Sequence, residues 1–145
     1  MVFVEDREGL MDASIDGVWE LVRAHGTDCS GIHPHVKDVR TKRLNNSTFT
    51  NIWLHHIDGQ TIEIEIKATM FYPLGVAFEI LKGPFVRSTY FVYYVPIQDE
   101  NKTNAIVVGD FQCPYIKDTD ILTDIILLNL QSMFDEDVLY LKNMK

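Results

Sequence analysis

The chain has 145 residues, 46% of them hydrophobic, and a formal net charge of −8, which suits one domain over residues 1–145 built on one core. The acidic surplus repels phosphate backbones, and the densest basic group, Lys37, Arg40, Lys42 and Arg43, reads as a solvated strand face, so nucleic acid is not an expected partner. The longest strongly apolar run, residues 121–130, is interrupted by Thr123, Asp124 and Asn129 and falls short of the ~20 residues of a membrane span.

At the start, Met1-Val2-Phe3-Val4 is followed at once by Glu5-Asp6-Arg7-Glu8, with neither the basic flank nor the small-residue cleavage site of a secretory signal. The expected compartment is the cytoplasm. There Cys29 and Cys113 are expected as free thiols rather than a disulfide.

After a short apolar start at residues 2–4, Ser14 precedes Ile15, Val18, Trp19 and Val22 at helical spacing, with Asp16 in the first turn and Gly26 after the last. These start and stop signals predict a helix over residues 15–25. Residues 27–35 contain Gly31 and Pro34 and leave room only for a short second helix or a turn.

From Val36 the hydrophobic period changes to two. Segments 36–44, 48–57, 61–72, 76–82, 87–96 and 104–113 are rich in Val, Ile, Thr, Tyr and Phe and are separated by short turn sequences, which makes neighbouring strands antiparallel. Asp58-Gly59 is the strongest turn signal, because this pair accepts the positive φ angles of a two-residue hairpin. The chain ends in a predicted helix over residues 118–142, capped by Asp118 or Thr119. Leu122, Ile126, Leu130, Met133, Asp137 and Leu141 form one stripe on it, with Ile125, Phe134 and Val138 beside it.

Hairpin register identifies an inner face. With Asp58-Gly59 as the turn, Ile57 faces Gln60, His55 faces Ile62, Trp53 faces Ile64 and Asn51 faces Ile66. Ile62, Ile64 and Ile66 alternate with Glu63, Glu65 and Lys67, so the isoleucines, and with them Asn51, Trp53 and His55, point inward. Tyr90 with Tyr94, or alternatively Phe91 with Tyr93, completes that face.

This element order resembles the helix-grip superfamily, which includes the major birch-pollen-allergen type, the START lipid-transfer domains and the polyketide cyclases. Local support comes from Ala13-Ser14-Ile15-Asp16-Gly17-Val18-Trp19, similar to the superfamily's entry into its first helix, and from Ile32-His33-Pro34 after it. The resemblance implies an α+β fold in which a curved antiparallel sheet of six or seven strands wraps around a long carboxy-terminal helix and encloses a cavity for an apolar small molecule. The expected pocket is walled by Trp53, Ile64, Ile66, Tyr94, Phe111, Leu130, Met133 and Phe134, with Asn51 and His55 orienting the ligand and Asp137 at its mouth.

Three function classes are compatible with that fold: a binding or carrier protein for a lipid, polyketide or aromatic compound; a cyclase or dehydratase in which His55 works with Asp137 as acid or base; and an interaction module using the outer sheet surface. Nucleophilic and nucleotide chemistry lack their signatures, since there is no Gly-x-Ser-x-Gly elbow and no glycine-rich phosphate loop.

Met133-Phe134-Asp135-Glu136-Asp137-Val138-Leu139 is also similar to a stretch in the catalytic domain of Rieske-type ring-hydroxylating oxygenases, where an Asp on the last helix joins two histidines around iron. The matching position is Asp137, with His33 and His35 in the region of the histidines. The chain lacks the Cys and His pairs of the iron–sulfur domain, and His33 and His35 stand closer together than the family's pair. His25, at a helix end, and His56 are expected to face solvent. Because His33 and His35 lie on a turn interrupted by Pro34 and Asp137 is not a certain third ligand, neither metal nor other cofactor is expected.

Overall fold

The computed structural model describes residues 1–57 and 59–144. Asp58, half of the predicted Asp58-Gly59 turn, lies outside them. Seven strands form one antiparallel sheet: β1 (Val2–Met11), β2 (Arg40–Arg43), β3 (Thr48–Ile57), β4 (Gln60–Phe71), β5 (Gly75–Lys82), β6 (Thr89–Ile97) and β7 (Lys102–Phe111), in the order β1-β7-β6-β5-β4-β3-β2. Three helices complete the chain: α1 (Ile15–Ala24), α2 (Cys29–Ile32) and α3 (Thr119–Asn143). The sheet curls around α3, which is the helix-grip arrangement.

The local chemistry accounts for the helix ends. Ser14 Oγ accepts a hydrogen bond from the Gly17 amide at 3.2 Å, and Asp118 accepts from the amides of Asp120 and Ile121 at 2.9 and 3.1 Å, each satisfying donors that the first helical turn leaves unpaired. Asp118, not Thr119, is therefore the cap of α3. The β3–β4 register is the expected one, pairing Asn51 with Ile66, Trp53 with Ile64 and His55 with Ile62.

Two strands differ from expectation at the sheet's edges. β1 continues to Met11, past the charged run that obscures it in the sequence, because an edge strand can leave charged side chains in water while Val2, Val4 and Met11 are buried. β2 begins only at Arg40, because Val36 is buried outside the sheet and Asp38 adopts a positive φ of 55° that interrupts extended backbone.

Two packed clusters make up the core. One gathers α1 (Val18, Trp19, Leu21, Val22) with Phe49, Ala68, Val76 and the end of α3 at Leu141. The other joins Val2, Val4 and Phe111 to the first half of α3 at Leu122 and Ile126. Among the described residues, no helix is long and apolar enough to cross a membrane.

Candidate functional site

A cavity of about 390 Å³ lies between the sheet and α3, beside the second cluster. Trp53 and His55 from β3 and Ile64 and Ile66 from β4 form one wall, Phe111 from β7 another, and Leu130 and Met133 from α3 the roof. The sheet places these side chains because alternate residues of a strand share a face, and α3 does so because Ile126, Leu130 and Met133 recur at helical spacing. The mostly apolar lining and the few polar groups, among them His35, His55, Asn129 and Ser132, match the usual make-up of small-molecule sites.

Four residues expected on this wall do not line it. Asn51 is buried, but its amide donates to the His25 carbonyl at 2.9 Å and accepts from Thr41 Oγ1 at 2.6 Å. Tyr94 packs edge-on against Trp19, with ring centroids 5.9 Å apart, and Phe134 packs against the first core cluster. Asp137 is largely buried but meets His25 and His33, and among the described residues no ion pair or hydrogen bond joins it to His55.

The open alternation in β6 resolves in favour of the Tyr90 face. Tyr90 lines the cavity, stacked between Phe78 and Phe111, whereas the rings of Phe91 and Tyr93 meet at a 45° tilt outside, next to Phe71. Burial and the nearby Asp137 carboxylate push the Tyr90 hydroxyl well above its ordinary range, so it serves as a neutral hydrogen-bonding group. Sequence reasoning also missed Phe85, in the segment after Gly83-Pro84 that reads only as a strand separator yet closes one end of the cavity.

Beside the cavity lies a polar cluster drawn from three distant segments. His25 Nε2 and His33 Nε2 are 3.2 Å apart, and Asp137 Oδ1 lies 3.3 Å from the first and 3.4 Å from the second. His33 Nδ1 and His35 Nδ1 both approach the Glu136 carboxylate, at 3.3 and 3.4 Å. The outward-facing reading of His25 is therefore incorrect: it continues the buried Val18, Leu21, Val22 face of α1 and meets α3 there.

Charge within the cluster is unevenly held. Burial opposes protonation of His25, but the Asp137 carboxylate and the carbonyls of Leu21 and Val22 outweigh it and hold the imidazole above its ordinary pKa. At His33 burial and the charge on His25 prevail over Asp137 and Glu136, and its pKa is lowered. Burial, reinforced by Asp137, Asp28 and Glu136, pushes the Cys29 thiol up to about 11.

On the opposite face of the sheet, Phe3, Lys67, Glu79, Phe91 and Asp110 border a wide depression of about 410 Å³ that is more open to solvent. It has neither the enclosure nor the apolar lining of the inner cavity.

No family model matches the sequence, and no curated protein matches it. Solved structures match its fold. The Zhui aromatase/cyclase from a Streptomyces species aligns over 97% of this chain and 93% of its own, with a TM-score of 0.75 and 12% identity. Ara h 8.0201 aligns over 97% of each chain, with a TM-score of 0.75 and 10% identity. The di-domain aromatase/cyclase StfQ of the steffimycin biosynthetic pathway aligns over 97% of this chain and 48% of its own, with a TM-score of 0.67 and 14% identity. At such identities the likeness is one of fold.

Proposed function

We propose that this helix-grip protein is a cytoplasmic binder or carrier of a largely apolar small molecule, held between the sheet and α3. The observation that carries the reading is the cavity of about 390 Å³ walled by Trp53, Ile64, Ile66, Phe111, Leu130 and Met133, within the usual ~300–1,000 Å³ of ligand sites. Affinity comes mainly from apolar burial, at roughly 25 cal/mol per Å² before the costs of association. His55 and the Tyr90 hydroxyl supply the orienting polar contacts.

Native mass spectrometry of protein purified from its own organism tests this directly, since it reports bound small molecule and stoichiometry together. A Leu130→Trp variant, which fills the cavity from its roof, is expected to lose the co-purifying molecule while keeping its fold. Retention of that molecule in a folded Leu130→Trp protein, or no apolar ligand in the native protein, overturns the proposal.

The likeness in fold to aromatase/cyclases favours one alternative, cyclase-like chemistry on the same ligand. In that reading His55 acts alone as acid or base, because Asp137 is engaged by His25 and His33.

A further inference from the structure

The hydrogen bonds around the histidine pair leave it with a surplus of acceptors. A backbone carbonyl can only accept, so His25 Nδ1, 2.9 Å from the Leu21 oxygen, carries a proton and donates it. His33 Nδ1, 3.3 Å from Glu136 Oε1, likewise donates to a carboxylate. With both Nδ1 positions protonated, the neutral rings present Nε2 lone pairs, and these lone pairs face each other across 3.2 Å. The third corner of the triangle is Asp137 Oδ1, a buried oxygen to which no hydrogen bond is made among the described residues. Three electron-pair donors directed at one point repel one another unless a positive charge lies between them, either a proton on His25 Nε2 or a bound cation in its place.

The dimensions fit a metal ion in that place. First-row divalent metals bind imidazole nitrogen and carboxylate oxygen at about 2.0–2.2 Å, which sets neighbouring ligand atoms about 3.0 Å apart in octahedral and about 3.4 Å apart in tetrahedral geometry. The sides of this triangle, 3.2, 3.3 and 3.4 Å, fall within that span. The outer contacts also fit, because metal-bound imidazoles characteristically donate their second N–H to a carbonyl or carboxylate, as His25 does to Leu21 and His33 to Glu136.

We propose that His25 Nε2, His33 Nε2 and Asp137 Oδ1 bind one divalent first-row transition-metal ion. The ion leaves further coordination positions for water or a ligand atom, and the site adjoins the cavity, since His35 both lines the cavity and contacts Glu136. The sequence expectation of no metal rested on His33 and His35 standing on a turn interrupted by Pro34 with no certain third ligand; His25 takes the place of His35 beside His33 and Asp137. The proposal does not depend on what the cavity holds.

The test uses the full chain, stripped with a chelator and titrated with Zn(II) by calorimetry and with Co(II) by visible absorption. One equivalent is expected to bind. Asp137→Asn and His25→Gln are each expected to weaken binding at least about 100-fold, Glu136→Gln about 10- to 100-fold, and His56→Gln not at all. Because a ligand variant can fail to fold, proton–nitrogen correlation spectra of the histidine rings in the wild-type Zn(II) form provide a second readout. They should show His25 and His33 protonated at Nδ1 and metal-bound at Nε2. Absence of saturable binding, binding that survives both ligand substitutions, or imidazole signals unchanged by Zn(II) would overturn the site.

Discussion

Asn51 Nδ2 donates a hydrogen bond of 2.9 Å to the backbone carbonyl of His25, fastening the middle of β3 to the end of α1. Its Oδ1 accepts from Thr41 Oγ1 at 2.6 Å, so one buried amide joins β2, β3 and α1. Replacing it with Leu leaves the part-buried His25 carbonyl without its partner, at a cost of about 1–3 kcal/mol, while the exposed Thr41 hydroxyl can turn to water. Asn51→Leu should therefore lower stability in urea unfolding by about 1–3 kcal/mol. A midpoint equal to that of the wild type would show that the bond does not hold these elements together.

Trp53 and Trp19 should report on different regions. Trp53 lines the cavity, whereas Trp19 is 1% exposed and donates its indole N–H to the Pro73 carbonyl at 3.2 Å. A naphthalene sulfonate probe entering the cavity is expected to quench or shift Trp53 emission and leave Trp19 emission nearly unchanged. A Trp53→Phe variant that keeps the whole response would place the probe elsewhere.

Thr103 is fully buried, and its hydroxyl donates to the Ala13 carbonyl at 2.9 Å, which holds the start of α1 against β7. Thr103→Val keeps the shape and removes the donor, so the expected loss is about 1–3 kcal/mol, the cost of an unsatisfied buried carbonyl. Thr103→Ser keeps the donor and should recover much of that difference. Equal stability of the Val and Ser variants would assign the effect to packing alone.

Cys29 should be a slow nucleophile. With its thiol pushed up to about 11, its thiolate fraction near pH 8 falls on the order of a hundredfold below that of an ordinary cysteine. In a Cys113→Ser background, iodoacetamide labelling should be correspondingly slow and should accelerate as pH rises toward that value. Rapid labelling near neutral pH would mean that the acids around Cys29 do not govern it.

The fold was legible where periodicity and turn chemistry agree. Trp53 opposite Ile64 follows from alternation with Glu63 and Glu65 together with one hairpin, and the inward Asp137 follows from its place on the Leu130, Met133, Leu141 stripe. Asn51 shows the limit of that reasoning: register gave its direction, while the carbonyl that takes up its amide comes from a helix end 26 positions earlier. The His25, His33, Asp137 cluster was harder still, since it joins segments whose separation no local pattern encodes. The Met133–Leu139 stretch pointed to Asp137 and His33; the member that sequence turned outward, His25, left a trace in standing three and four positions after the buried Val22 and Leu21, where an apolar residue would continue the face.

The pairing of β1 with β7 has a consequence for the order of assembly. The strand synthesised first has as its sole neighbour the strand synthesised last, so Val2 and Val4 stay without their sheet partners until nearly all the intervening strands exist. Local hairpins β3–β4, β4–β5, β5–β6 and β6–β7 can form as they emerge, but closure of β1 onto β7 carries the largest loop-closure entropy in the sheet. The second core cluster, which needs Val2 and Val4 together with Phe111 and α3, is thus completed only once β1 has closed onto β7.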